Sequence, residues 1–203
     1  MAYEKNGAFF AHMNRLSDLT VLGMLWFVTS LPVITLGASS TALYYAAAKT
    51  IRYENGSPAR EFFRSFRRNL FQGCAATAVY LLLYASLGTA AWLSGGQKAV
   101  FAGLLPAAAV LMAASLYLFP VLSRFTMPLY QYFAVSLFLS VRYFAKTALL
   151  AVTFCLCAVI FCIFPFLLPV IAASFAYYAT YILEDIFREY MNVPDENKGE
   201  WYA

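Results

Sequence analysis

Charge is what this chain has least of. Asp, Glu, Lys and Arg together make up 12% of its 203 residues, while 63% are hydrophobic. Soluble domains carry about twice that charged share, roughly 25%. A soluble fold of this length must cover its surface with polar side chains, and here there are too few. Histidine is nearly absent as well: His12 stands alone, so His-based metal or triad chemistry has no second member. The four cysteines, Cys74, Cys155, Cys157 and Cys162, lie in apolar runs without a paired Cys-x-x-Cys, and no disulfide framework is implied. On a helix Cys155 and Cys157 point about 200° apart and cannot grip one metal. They read as buried thiols acting as small hydrophobes. No Walker A sequence is present, and the middles of the apolar stretches hold no Asp, Glu, Lys or Arg. Ion-coupled transporters usually need such a residue near the midplane, so an autonomous pump is disfavoured. No catalytic constellation emerges; neither an enzyme nor a cofactor is expected.

What is there is a series of long apolar stretches, with a mean hydropathy of +0.68 over the chain. About 20 apolar residues cross a hydrocarbon core of roughly 30 Å. Residues 70–93 and 100–122 each fit one span, joined by Ser94-Gly95-Gly96-Gln97 into a helical hairpin. Residues 147–183 are too long for one span. Pro165 and Pro169 interrupt the helical ladder near the middle, so two short spans are expected, meeting at Phe164–Pro169, with one kinked helix as the rival. Residues 19–36 form a further span containing Pro32. Residues 38–51 either return beside it as a short helix or lie along the interface. A cleaved leader is disfavoured, because more apolar stretches follow. The uncharged segment 125–141 either continues the preceding span or lies at the interface. The expected fold is an all-α polytopic membrane protein of about five spans, within four to six, plus a basic amphipathic interfacial helix. It forms one domain over residues 1–203. Residues 52–69 are its cytoplasmic basic loop and helix, and residues 184–203 a polar, acidic C-terminal tail.

Orientation follows from Lys and Arg placement. Lys49, Arg52, Arg60, Arg64, Arg67 and Arg68 cluster in one loop and Arg124, Arg142 and Lys146 in another, leaving Lys98 alone between them. Both clusters are expected to face the cytoplasm. The N-terminus shares that side only if residues 38–51 return through the membrane. The net charge of +4 then serves topology and anionic lipid rather than nucleic acid.

The basic loop carries the most information. Ser57 suits an N-cap and Pro58 the first helical position. At 100° per residue Phe62, Phe63, Phe66 and Leu70 share one arc, with Arg60, Arg64, Arg67 and Arg68 opposite. This pattern is that of an amphipathic helix with aromatic anchors. It serves as a topology anchor or as a docking surface for lipid or an acidic partner.

Two motifs add to that reading. Leu31-Pro32-Val33-Ile34-Thr35-Leu36-Gly37, followed by Thr41-Ala42-Leu43-Tyr44, resembles the LPxxTxG…TALY signature of the YesL-like family of bacterial membrane proteins. Arg60 to Asn69 looks like that family's R-x-F-F-x-S-F-K-x-N-F segment, with Arg67-Arg68-Asn69-Leu70 replacing the usual Lys and Phe. Lys49 and Arg52-x-Glu54 also fall where the family has basic and acidic residues. The resemblance extends over roughly residues 10–190, though the later spans match only in hydrophobicity. The family is a domain of unknown function, and its members are often encoded beside carbohydrate ABC importers and polysaccharide-degrading enzymes. The resemblance therefore implies an accessory or scaffolding subunit, with sugar ABC importer permease or ATPase subunits as partners. The alternative is a small oligomeric facilitator or channel for a sugar or other small solute. Physically, Pro32 loosens the end of the first span, Thr35 satisfies a freed carbonyl and Gly37 permits a tight bend. Ala38, Ser39 and Ala42 then allow close helix contact.

Overall fold

The computed structural model describes residues 2–95 and 97–191. Asp195, Glu196 and Glu200 of the expected acidic tail, and Gly96 of the hairpin turn, lie outside the described residues. The described chain is all helix: α1 (Ala2–Ser30), α2 (Leu36–Ala46), α3 (Pro58–Leu93), α4 (Lys98–Arg124), α5 (Leu129–Arg142), α6 (Phe144–Ile163) and α7 (Leu168–Tyr190). A 3₁₀ turn, Val33–Thr35, leads into α2, a π-helical segment, Ala47–Arg52, continues it, and a second 3₁₀ turn, Pro165–Leu167, precedes α7.

Among the described residues, four helical stretches are long and apolar enough to cross a membrane: Pro58–Leu93, Ala102–Arg124, Phe144–Ile163 and Pro165–Tyr190. The chain is thus a polytopic helical membrane protein. The hairpin of α3 and α4 and the two spans meeting at the prolines are as the sequence predicts. Pro165 and Pro169 cost little, because each sits in the first turn of its own element, where a missing N–H has no intrahelical partner to lose.

The expected span at residues 19–36 is different. Helix α1 stops at Ser30, ahead of Pro32, which disfavours helix for the residue before it. Its apolar part, residues 19–30, extends only about 18 Å at 1.5 Å per residue. The chain then turns through the 3₁₀ segment and runs back along α1. Trp26 Nε1 donates to Ser40 Oγ (3.2 Å) near the turn, and Arg15 pairs with Glu54 (2.7 Å) at the other end, so the two strands of this hairpin are antiparallel. Residues 38–51 do return, and they do not lie along an interface: Ala38, Ala42, Ala46, Ala47 and Ala48 are fully buried.

Further expectations change. The basic segment is not a separate interfacial helix. Nothing between Pro58 and Leu93 stops the helix, and the 36 residues run unbroken for about 54 Å. Nor does the polar tail begin at residue 184, since Glu184, Asp185 and Glu189 belong to α7. Residues 125–141 neither extend α4 nor form a span. Phe125 and Pro128 are extended, and the 14-residue α5 follows, with Tyr132, Ser136, Leu139 and Ser140 buried and Phe138 and Val141 exposed. Cys155 and Cys162 are exposed on the outer face of α6 rather than buried, while Cys74 and Cys157 are half-buried.

Two apolar clusters hold the bundle together. One joins α1, α2 and the start of α3 to α7 around Leu22, Leu43, Ile51, Phe62 and Ala173. The other joins α4, α5 and α7 around Tyr117, Leu118, Tyr132, Leu183 and Phe187. Tyr44 and Ala76 carry α2 and α3 into this second cluster.

Candidate functional site

The first motif builds the turn and a close backbone contact between α2 and α3. Pro32 is the extended residue before the 3₁₀ turn. Thr35 Oγ1 lies 2.6 Å from the Thr29 carbonyl, left free at the end of α1, and 2.7 Å from that of Pro32, which also accepts from the Thr35 amide. Gly37 has a role other than the expected bend, being helical and fully enclosed. A Cβ there would sit 2.3 Å from Thr77 Oγ1 and 2.6 Å from the Gly73 carbonyl oxygen. The Gly37 amide donates to Thr77 Oγ1 (2.9 Å), which in turn donates to Gly73 (2.8 Å). Gly73 answers from α3: its Cβ would lie 2.6 Å from both N and Cα of Ala38. Small residues facing one another let the two backbones touch. Thr41 is buried and donates back to the Gly37 carbonyl (2.8 Å).

Tyr44, the last residue of that motif, reaches into a buried ionic group. Its hydroxyl donates to Glu184 Oε1 (3.2 Å), while Arg124 Nη2 lies 3.2 Å from Glu184 Oε2. The Arg124 and Glu184 side chains are 2% and 0% exposed. Desolvating such ions costs several kcal/mol each, so the pair persists only with good geometry and further hydrogen bonds.

The π segment supplies the next layer. Lys49 Nζ lies 2.9 Å from Glu61 Oε2 on α3, both nearly buried. Arg52 pairs with Asp185 (3.1 Å), donates to the Thr180 carbonyl, and covers the rings of Tyr53 and Tyr181. Arg188 donates to the Tyr53 hydroxyl (2.8 Å). π-Helical turns are rare and gather at functional places; this one ties α2 to α3 and α7 at once. The loop after it needs glycine at Gly56, where φ is +91° and Glu61 crowds the Cβ position at 3.3 Å. On the same end of the molecule the Tyr143 hydroxyl donates to Glu189 (2.7 Å), and that carboxylate raises the phenol to about 12.

The second motif forms the first turns of α3. Ser57 holds the N-cap position, though its side chain makes no capping bond, and Pro58 is the first helical residue. Phe62 is fully buried and stacks on half-buried Phe66 (6.2 Å between centroids), while Phe63 is 42% exposed. Arg60, Arg64, Arg67 and Arg68 are all exposed. The aromatic face is thus turned into the protein, apart from Phe63, and the arginine face is turned out. Arg64 is 3.9 Å from Glu61 but 68% exposed, too open for that pair to hold it.

A cavity of about 430 Å³ lies among α1, α2, α4, α6 and α7, with Tyr84 of α3 at its edge. Its walls are apolar, and three of its polar side chains are already engaged: Ser40 with Trp26, Ser115 with the Met112 carbonyl (2.7 Å), and Tyr44 with Glu184.

Sequence reasoning assigned the arginine face and the turn, and it missed the Arg124–Glu184 pair. Both residues sit at the ends of apolar stretches, where charges ordinarily mark the membrane border. A signal was present: Glu184 recurs with Ala173, Ala176, Thr180 and Phe187 at helical spacing, the face of α7 that is buried.

Residues 19–88 match the family described as Protein of unknown function, DUF624. The match contains both motifs and supports the resemblance they carry. No curated protein and no solved structure matches the chain.

Proposed function

We infer that this chain, whose residues 19–88 match the DUF624 family, is an accessory or scaffolding subunit of the bacterial cytoplasmic membrane that associates with a carbohydrate ABC importer. The observation that carries the reading is the exposed face of Arg60, Arg64, Arg67 and Arg68 on a helix whose opposite face is anchored by Phe62 and by the Lys49–Glu61 pair. Such a face presents fixed positive charge to an acidic partner without an ordering cost at the helix itself. The excess of Lys and Arg at this end supports a cytoplasmic orientation. The antiparallel α1–α2 hairpin then puts Arg15 on that same side. The choice of importer rests on the family resemblance.

A facilitator for sugars has less support. A sugar needs free hydrogen-bond partners along its path, and Ser40, Ser115 and Tyr44 in the cavity are already bonded within the chain.

Affinity purification of the full chain in mild detergent tests the reading. Permease or ATPase subunits are expected to co-purify, and reversing charge at Arg60, Arg64 and Arg67 is expected to release them while the variant still inserts. Repeated recovery of the chain alone would overturn it.

A further inference from the structure

The cavity among the spans is larger than a packing defect and lies in the range of about 300–1,000 Å³ typical of ligand pockets. Its chemistry narrows what fills it. Water needs two or more polar partners, and an apolar cavity without them stays dry. The Ser40, Ser115 and Tyr44 hydroxyls that reach it are engaged within the chain and Tyr84 sits at its edge, so a polar solute finds little inside to replace its hydration. Left empty, the walls forfeit dispersion contacts in proportion to the void. Hydrocarbon is the filling that costs no hydrogen bond.

The cavity also has an outlet. Tyr84, Phe154 and Phe161 line it and are themselves 41%, 41% and 38% exposed. The neighbouring outward residues of α6, Leu156, Val159 and Ile160, are exposed aliphatics. On a helix apolar enough to span a membrane, such a surface faces lipid chains. The ring of Phe154 packs edge-on against Phe175 of α7 (5.6 Å), making one wall of the opening.

We propose that this cavity is a binding site for a single acyl chain of a bilayer phospholipid, entering between Tyr84 and the α6 phenylalanines and reaching toward Trp26. The site is independent of the arginine face, and its failure would leave the accessory reading untouched.

Trp26 lines the cavity and makes the test direct. The other two tryptophans, Trp92 and Trp201, are replaced by Phe, and the full chain is reconstituted in phosphatidylcholine vesicles with or without bromine on the acyl chains. Brominated lipid is expected to quench Trp26. Narrowing the cavity from two different helices, by Ser115→Leu or Ala158→Leu, is expected to reduce that quenching. A companion chain that keeps only Trp92, which is 82% exposed, reports bulk lipid and is expected to be quenched equally with or without the filling substitution. Absence of Trp26 quenching in the unfilled chain overturns the proposal, whatever the filled variants do. So does quenching that both filling substitutions leave unchanged.

Discussion

The two ends of α3 pack by different rules. At its basic end and through its first half it meets α2 across Gly73, Gly37 and Ala38, where an added Cβ would strike backbone atoms at 2.6 Å. At its far end Gly88 faces nothing within 4 Å among the described residues, and the same holds for Gly95 and Gly103 across the hairpin with α4. Leu82, Trp92 and Leu93 there are 72–82% exposed. Near the basic end, residue identity is set by contact; near the far end, apolarity alone suffices. The DUF624 match stops at residue 88, where α3 has left its close partners behind.

The comparison breaks most sharply at the buried ions. Glu184→Gln leaves the Arg124 guanidinium without its carboxylate and is expected to destabilise the chain by about 3–5 kcal/mol. Thermal denaturation of the detergent-purified protein, followed by size-exclusion recovery, reads this effect. A double replacement of Arg124 and Glu184 by Met is expected to recover much of the loss, since two apolar groups of similar size carry no desolvation cost. A double variant as unstable as the single would show that the pair is not the cause.

Next in size is Gly73→Ala. The new methyl meets Ala38 backbone, which cannot swing aside as a side chain would, and the expected cost is about 1–3 kcal/mol. Unchanged stability would mean that α2 and α3 separate freely. The smallest effect is expected at Gly88→Ala, which has open space around it and gains helix propensity of up to about 1 kcal/mol. The two alanine substitutions in one helix should therefore shift the melting temperature in opposite directions. Equal shifts would erase the distinction between the ends.

Much of the architecture was legible because hydropathy and proline placement are local. The α3–α4 hairpin, the break at Pro165 and the arginine face follow from residues near one another in sequence. Thr35 was legible for the same reason, its carbonyl partners lying three and six residues away. Three features were not. Helix α2 is as apolar as a lipid-facing segment, and nothing in hydropathy distinguishes a neighbour made of protein from one made of lipid. The basic segment read as a separate helix because its composition changes at Leu70, yet a change from polar to apolar residues does not end a helix. Only a breaker does, and none lies between Pro58 and Leu93. The Arg124–Glu184 pair joins residues 60 positions apart, and the helical recurrence of Glu184 hints at its burial without naming its partner.

The contact of Tyr44 and Arg124 with Glu184 also has a direction in time. A chain made from its N-terminus exposes the first motif early, then Arg124, and supplies Glu184 only with α7. Until then neither the Tyr44 hydroxyl nor the Arg124 guanidinium can meet the carboxylate it will share, and the α1–α2 hairpin lacks the wall that α7 provides. Helix α7 is therefore a late piece: its arrival neutralises a charge already in place and backs the α1–α2 hairpin against a bundle that α2 and α3 already share with α4.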